Sequence, residues 1–162
     1  WERGTVGGGG MGGIGLADGA FVLVDSFGSR VSTDGGRTWT TGGATGHGYH
    51  VRGAGGGGPG VIAGGGSGQT PVTSWDRGKT WAKATDCPPM KYHNLGQYGG
   101  AAWGAGGLAL VSDDGQFCKL VDRRSVGKGR LPSFVFGRLA WVGDHFIVAN
   151  TSRIHESDDG LT

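Results

Sequence analysis

An all-β fold built from four repeated units is what this 162-residue sequence predicts, and three observations carry the prediction. The first is a recurring motif. Ser32-Thr33-Asp34-Gly35-Gly36-Arg37-Thr38-Trp39 and Ser74-Trp75-Asp76-Arg77-Gly78-Lys79-Thr80-Trp81 share the pattern S-x-D-x-G-x-T-W. The chain ends in a third copy, Glu156-Ser157-Asp158-Asp159-Gly160-Leu161-Thr162, one residue short of its Trp, and Trp1 stands ready to supply it. The second observation is a set of short apolar clusters between the motifs. The third is glycine, 39 residues in all, with uninterrupted runs at 7–10 and 55–58. Glycine at that density costs backbone entropy and disfavours helices.

The clusters fall into the same order in each repeat. Ahead of the first motif come Gly12-Gly13-Ile14-Gly15-Leu16-Ala17, then Ala20-Phe21-Val22-Leu23-Val24, then Ser29-Arg30-Val31-Ser32. Ahead of the last come Gly137-Arg138-Leu139-Ala140-Trp141-Val142, His145-Phe146-Ile147-Val148-Ala149, and Ser152-Arg153-Ile154-His155-Glu156. Each is a short β-rich run bounded by Gly, Asp, Asn or Ser, the pattern of strands joined by tight turns. Residues 38–41, 80–84 and 1–5, which follow the motifs, supply a fourth strand. Four antiparallel strands in about 40 residues is the layout of one propeller blade.

The third repeat needs separate treatment. Ser112-Asp113-Asp114-Gly115 looks like the motif but stands too near the preceding apolar strand. Phe21 lies 13 residues before Asp34 and Phe146 12 before Asp158, whereas Leu108 lies 5 before Asp113 and 14 before Asp122. Ser112 to Gly115 is therefore expected to turn between the second and third strands. Leu120-Val121-Asp122-Arg123-Arg124 then holds the motif position in degenerate form. Asp34, Asp76, Asp122 and Asp158 stand 42, 46 and 36 residues apart, which gives four blades: 6–41, 42–84, 85–135, and 136–162 completed by 1–5.

The motif resembles the Asp-box, or BNR repeat, of sialidase-like β-propellers, and the resemblance spans essentially the whole chain. It implies that each box lies on the hairpin between the third and fourth strands, at the rim. The chemistry suits that place. Ser and Asp oxygens accept turn N–H groups, glycine permits positive φ, and Trp packs beneath. Ser32, Asp34, Gly36, Trp39, Ser74, Asp76, Gly78, Trp81, Asp158, Gly160, Thr162 and Trp1 are accordingly expected to be structural, with Glu156 in the Ser position of the last box. Propellers commonly pair an N-terminal strand with C-terminal ones, which removes exposed edges. Here Trp1 and the residues after it would form the outer strand of the fourth blade. The expectation is a closed ring of four blades or a segment of a larger propeller. The chain opens on Trp1, without an initiator Met or a signal-peptide pattern, and so reads as processed or excised from something longer.

Composition excludes several classes of function. A formal net charge of +2, with the fifteen Lys and Arg scattered, gives no nucleic-acid footprint. No apolar run approaches the roughly 18 residues of a membrane span. Cys87 and Cys118 lack zinc-ligand spacing, and are either two buried thiols or one disulfide, the latter favouring export. Asp113-Asp114-Gly115 and Asp158-Asp159-Gly160 offer too few oxygens for calcium. Gly8-x-Gly10-x-x-Gly13 has no following helix to receive a phosphate. Gly64-Gly65-Gly66-Ser67-Gly68-Gln69-Thr70 lacks the P-loop lysine, and His47-x-x-His50 has no third metal ligand. No cofactor or metal is expected.

The family resemblance also invites a search for hydrolase machinery: three arginines, a tyrosine nucleophile with its glutamate, an acid/base aspartate and an Arg-Ile-Pro motif. Arg130-Leu131-Pro132 resembles the last, but sits in the final repeat. The only glutamates, Glu2 and Glu156, are not placed to activate Tyr49, Tyr92 or Tyr98. Paired carboxylates facing a cleft, which glycoside hydrolysis requires, are not evident. Tyr49-His50 and Tyr92-His93 both lead into an innermost strand and are followed by Arg52 and Gln97, with Phe136 and Arg138 in the matching place of the fourth repeat. Tyr49, His50, Arg52, Tyr92, His93 and Arg138 are the candidate ligand-binding residues, since aromatic, imidazole and guanidinium groups around an axis suit a sugar ring. The alternative is that these side chains only cap the blade interface. Asn150-Thr151-Ser152 is a glycosylation sequon on an expected turn.

The expected function is a non-catalytic binding or scaffold propeller, extracellular or in a bacterial cell envelope, recognising a glycan or protein on its face. The alternative is a fragment of a sialidase-like or xyloglucanase-like glycoside hydrolase.

Overall fold

The structure, a computed structural model, describes residues 13–25, 27–46, 54–56, 58–59, 61–63, 70–89, 100–112, 114–131, 138–149 and 152–161. Every regular element among them is a β-strand, and none is a helix long and apolar enough to cross a membrane. The first sheet holds β1 (Gly13–Ala17), β2 (Ala20–Val24), β3 (Ser29–Ser32) and β4 (Thr40–Thr41). The second holds β5 (Ala54–Gly56), β6 (Val61–Ala63), β7 (Val72–Ser74) and β8 (Ala82–Lys83). The third holds β9 (Gly100–Gly104), β10 (Gly107–Val111), β11 (Gln116–Val121) and β12 (Arg124–Arg130). The fourth holds β13 (Arg138–Val142), β14 (His145–Ala149) and β15 (Ile154–Ser157). Each sheet is an antiparallel meander in chain order.

Two-residue turns set the register. Asp18-Gly19 joins β1 to β2 with φ of 47° and 75°, and Ala105-Gly106 joins β9 to β10 with φ of 44° and 70°. Positive φ at both central residues matches the right-handed twist of the flanking strands. Ala17 then pairs with Ala20, and Gly104 with Gly107.

Side chains alternate across each strand, and both faces of the inner sheets are covered. β10 is buried throughout. Leu108 and Leu110 face the second sheet in a cluster with Cys118, Leu120, Trp75 and Trp103. Ala109 and Val111 face the fourth, with Leu139, Phe146 and Val148. Ala17, Val22 and Val24 of the first sheet meet Val72 and Trp81 of the second in the same way. The core is thus three interfaces between four sheets. Innermost strands run side by side, β1 against β5, β5 against β9 and β9 against β13. Among the described residues no comparable contact joins β13 to β1, and the fourth sheet shows three strands. The expected closing strand, Trp1 to Thr5, lies outside the described residues.

Each interface carries its own polar or covalent fastener. Ser29 Oγ in β3 donates to Gly78 O of the second box. Lys119 in β11, only 5% exposed, donates to Asp159 O of the last box and lies over the Phe146 ring. Between the second and third sheets a disulfide joins Cys87 to Cys118.

Two motif positions differ from the sequence expectation. The degenerate box at Leu120 to Arg124 is not a box. Asp122 and Arg123 form a two-residue turn, with φ of 47° and 72°, leading directly into β12. In the last repeat the bonds run one residue later than expected. Ser157, not Glu156, takes the serine role and Asp159, not Asp158, the aspartate role. The Asp158 side chain is 96% exposed. This box is one residue shorter, so aligning it on Gly160 misplaces the residues before it.

Candidate ligand-binding face

The strand connections of each sheet gather at two ends. One end bears the β1–β2 turn and the boxes, and the other bears the β2–β3 turn and the segments leading into the next sheet.

In the first two boxes the polar groups are spent on the turn itself. Ser32 Oγ donates to Asp34 Oδ1 (2.8 Å) and accepts from Gly36 N–H (2.8 Å). Thr38 donates its N–H (2.9 Å) and hydroxyl (2.6 Å) to Asp34. Trp39 Nε1–H closes on Gly36 O (3.0 Å). The second box repeats this: Ser74 to Asp76 (2.8 Å), Gly78 N–H to Ser74 (2.8 Å), Thr80 N–H to Asp76 (2.9 Å) and Trp81 to Gly78 O (3.1 Å). These donors hold Asp34 down from the ordinary 3.8 to about 2, the Thr38 hydroxyl first, then the Thr38 N–H and Ser32. Burial pushes Asp76 up, but Thr80 and Ser74 outweigh it and leave its carboxyl below the ordinary range. Carboxylates so bonded and held below the ordinary range are weak bases near neutral pH.

The opposite end carries a cleft of about 250 Å³, lined by Asp25, Phe27, Gly28, Arg30, Thr41 and Ala44 among others. Asp25 is 6% exposed and its Oδ1 accepts the N–H groups of Phe27 (2.8 Å) and Gly28 (3.0 Å). Its other oxygen lies 3.6 Å from Arg30 Nε, which is buried without a hydrogen-bond partner among the described residues. The Arg30 side chain as a whole remains 27% exposed. Phe27 is 69% exposed. Gly28, at φ 157°, brings its Cα against Gly43, where a methyl group would fall 2.7 Å from the Gly43 carbonyl oxygen. The turn is therefore held from below while the ring stands out above. An exposed phenyl ring beside a braced guanidinium offers one stacking surface and one oriented donor set.

The same end of the third sheet holds Ser112 to Gly115, between β10 and β11. It has box-like bonds: Ser112 Oγ to Asp114 (2.6 Å), and Gln116 N–H to Ser112 (3.1 Å). Arg130 binds Asp114 from β12 at 3.0 Å. Burial raises Asp114, but Ser112, Gln116 and Arg130 together keep it low.

Of the candidate ligand residues, Arg138 opens β13 at this end and is exposed. Tyr49, His50, Arg52, Tyr92 and His93 lie outside the described residues, as do Trp1 and Thr162. Thr41 to Ala44 of the cleft belong to the connection that continues to Tyr49. Asp25, Phe27 and Arg30 were not singled out from sequence. The available signal was an aromatic residue in a turn, Asp25-Ser26-Phe27-Gly28, where no strand needs one. Among the described residues no group of three His, Cys, Asp or Glu could hold a metal ion.

No protein-family model matches this chain, and no curated protein matches its sequence. Solved structures do. Apo AztD from Citrobacter koseri is similar over 93% of this chain and 44% of its own, at 12% identity and a TM-score of 0.62. The GH74 enzyme of Niastella koreensis is similar over 91% of this chain and 22% of its own, at 19% identity and a TM-score of 0.65. YCF48 bound to D1 peptide is similar over 90% of this chain and 48% of its own, at 17% identity and a TM-score of 0.56. All are β-propellers. The fold is a propeller fold. The chain spans less than half of each of these relatives, and identities this low speak for fold alone.

Proposed function

We propose that this chain is a non-catalytic binding propeller that takes a protein or glycan ligand at the end bearing the β2–β3 turn. The observation that carries the reading is the cleft beside Phe27, where an exposed ring adjoins an Asp25-braced Arg30. Binding sites favour concave surfaces with apolar contact and a few oriented polar groups, and this cleft has both. The box carboxylates Asp34 and Asp76 support the assignment by contrast, because they are engaged in their own turns. The peptide complex of YCF48 supports use of such a fold for a polypeptide ligand. Tyr49, His50, Arg52, Tyr92, His93 and Arg138 would extend the site around the axis. The Cys87–Cys118 disulfide supports an oxidising compartment, hence an extracellular or cell-envelope location.

The test is binding of the native chain to a glycan array and a peptide library, followed by Phe27→Ala and Arg30→Ala. Each variant is expected to weaken binding by about tenfold or more, as truncation at a hot-spot aromatic or arginine does, with the melting temperature within a few degrees of native. Unchanged affinity in both would remove this face. The competing hydrolase reading is tested with fluorogenic glycosides, and turnover by the chain alone would replace the binding reading.

A further inference from the structure

We propose that the cleft beside Phe27 receives a proline of an extended polypeptide, an inference that rests on the binding face proposed above and narrows its ligand to one class. The pyrrolidine ring packs on the Phe27 ring, and the carbonyl before it accepts from the Arg30 guanidinium.

The cleft is short of acceptors. Asp25 Oδ1 already receives the Phe27 and Gly28 N–H groups. The Gly28 carbonyl receives the Asp25 N–H (2.9 Å) and the Ser29 carbonyl the Gly42 N–H (2.8 Å). The Gly43 carbonyl receives both the N–H (3.0 Å) and the hydroxyl (3.1 Å) of Ser29. Donors are what remain. Arg30 lines the cleft with a guanidinium of five N–H groups, and its Nε has no hydrogen-bond partner among the described residues. A ligand seated here is therefore one that accepts rather than donates. The amide before a proline has a carbonyl and no N–H. A sugar ring instead brings a donor with every hydroxyl, and each one buried without an acceptor is costly.

Charge and shape point the same way. Asp25 and Arg30 are the charged residues among the described lining of the cleft, and their formal charges cancel. An anion drawn to Arg30 meets Asp25 at similar range, whereas a neutral carbonyl meets no such opposition. Arg30 Nε is buried on the Asp25 side, so the fork that grips a carboxylate through Nε is not offered. Phe27, 69% exposed, supplies the apolar plane on which grooves for extended proline helices are built. At about 250 Å³ the cleft is smaller than the roughly 300–1,000 Å³ of pockets for drug-sized ligands, which suits one ring and its carbonyl better than an oligosaccharide. Its floor is fixed, since a methyl group on Gly42 would overlap Ser29 Oγ and one on Gly43 the Lys79 carbonyl. A rigid floor and a preformed proline helix both keep the ordering cost of binding low.

Binding of fluorescein-labelled decaproline to the native chain is followed by anisotropy, with a labelled Gly-Ser decapeptide beside it and cellohexaose measured by calorimetry. Decaproline is expected to bind saturably, and the Gly-Ser peptide about tenfold or more weakly. Phe27→Ala and Arg30→Met should each weaken decaproline by about tenfold or more, as loss of an anchoring aromatic or arginine does. Added salt should leave the native affinity nearly unchanged, because screening acts on net charge. Decaproline that does not bind, binds no better than the Gly-Ser peptide, or binds both variants as it binds the native chain overturns the proposal. Cellohexaose, or a library peptide without proline, that binds in its place and is lost in both variants keeps the binding face and overturns the proline assignment. No ligand responding to either variant removes the face and the proline assignment together. Should Arg30→Met not fold, Phe27→Ala decides, because that exposed ring takes no part in the core.

Discussion

Ser74 shows how much one hydroxyl settles in this fold. Its oxygen accepts the buried Gly78 N–H and its proton goes to Asp76, so a single group orders both the turn and the carboxylate. Ser74→Ala leaves that N–H without an acceptor inside the interface. The expected loss is about 1–3 kcal/mol, the usual cost of an unsatisfied buried donor, read from denaturant unfolding. Asp34 gives a pH dependence. Its carboxyl is held at about 2 in the folded chain against an ordinary 3.8. A depressed acid stabilises the fold above its unfolded pKa and ceases to do so as pH falls through the folded one. Stability is therefore expected to be flat above about pH 5 and to fall between about pH 4 and 2. Asp34→Asn should flatten part of that decline in an acid melt series, and an unaltered slope would show that other carboxylates set it.

At the level of elements, the three interfaces solve one problem in three ways. A carbonyl of the second box and one of the last face the neighbouring sheet, and they are met by Ser29 and Lys119 respectively. The third sheet has no box, since Asp122 and Arg123 close its outer hairpin in two residues, and there the disulfide joins Cys87 to Cys118. With its cysteines 31 positions apart, the cross-link restricts the unfolded chain by about 4 kcal/mol in the loop-entropy account. Reduction, or replacement of both cysteines by serine, is expected to lower stability by that order in thermal unfolding. Hydrogen exchange should rise first in β8, β10 and β11, the strands nearest the cross-link. A uniform rise in all sheets would mean that the bond does not act on its own interface.

Across the whole molecule, the sheets are buried where they have neighbours on both sides and open where they do not. Ile14, Leu16 and Phe21 share one face of the first sheet and are 54%, 42% and 37% exposed. Val142 and Ile154 are 53% and 66% exposed on the outer face of the fourth. Apolar faces of this kind mark surfaces that another element covers. The cleft is tied to the second box, because Ser29 and Gly43, which line it, both donate to the Gly78 carbonyl.

Sequence alone determined the all-β class and the repeat, because glycine content, strand-length clusters and box spacing are local properties that need no partner. It also determined that Ser32, Asp34, Ser74 and Asp76 belong to turns, since their hydrogen bonds reach no more than four residues along the chain. Tertiary structure alone decided what depends on distant residues. The register of the last box was misread in sequence because Glu156 and Asp158 fit the expected spacing, and only the bonds of Ser157 and Asp159 expose the missing residue. The pairing of Cys87 with Cys118 was open until the second and third sheets were packed together. The cleft at Phe27 was hidden for the same reason: a phenylalanine counts as core in any linear pattern, and only the packed turn shows that its ring has no core to enter.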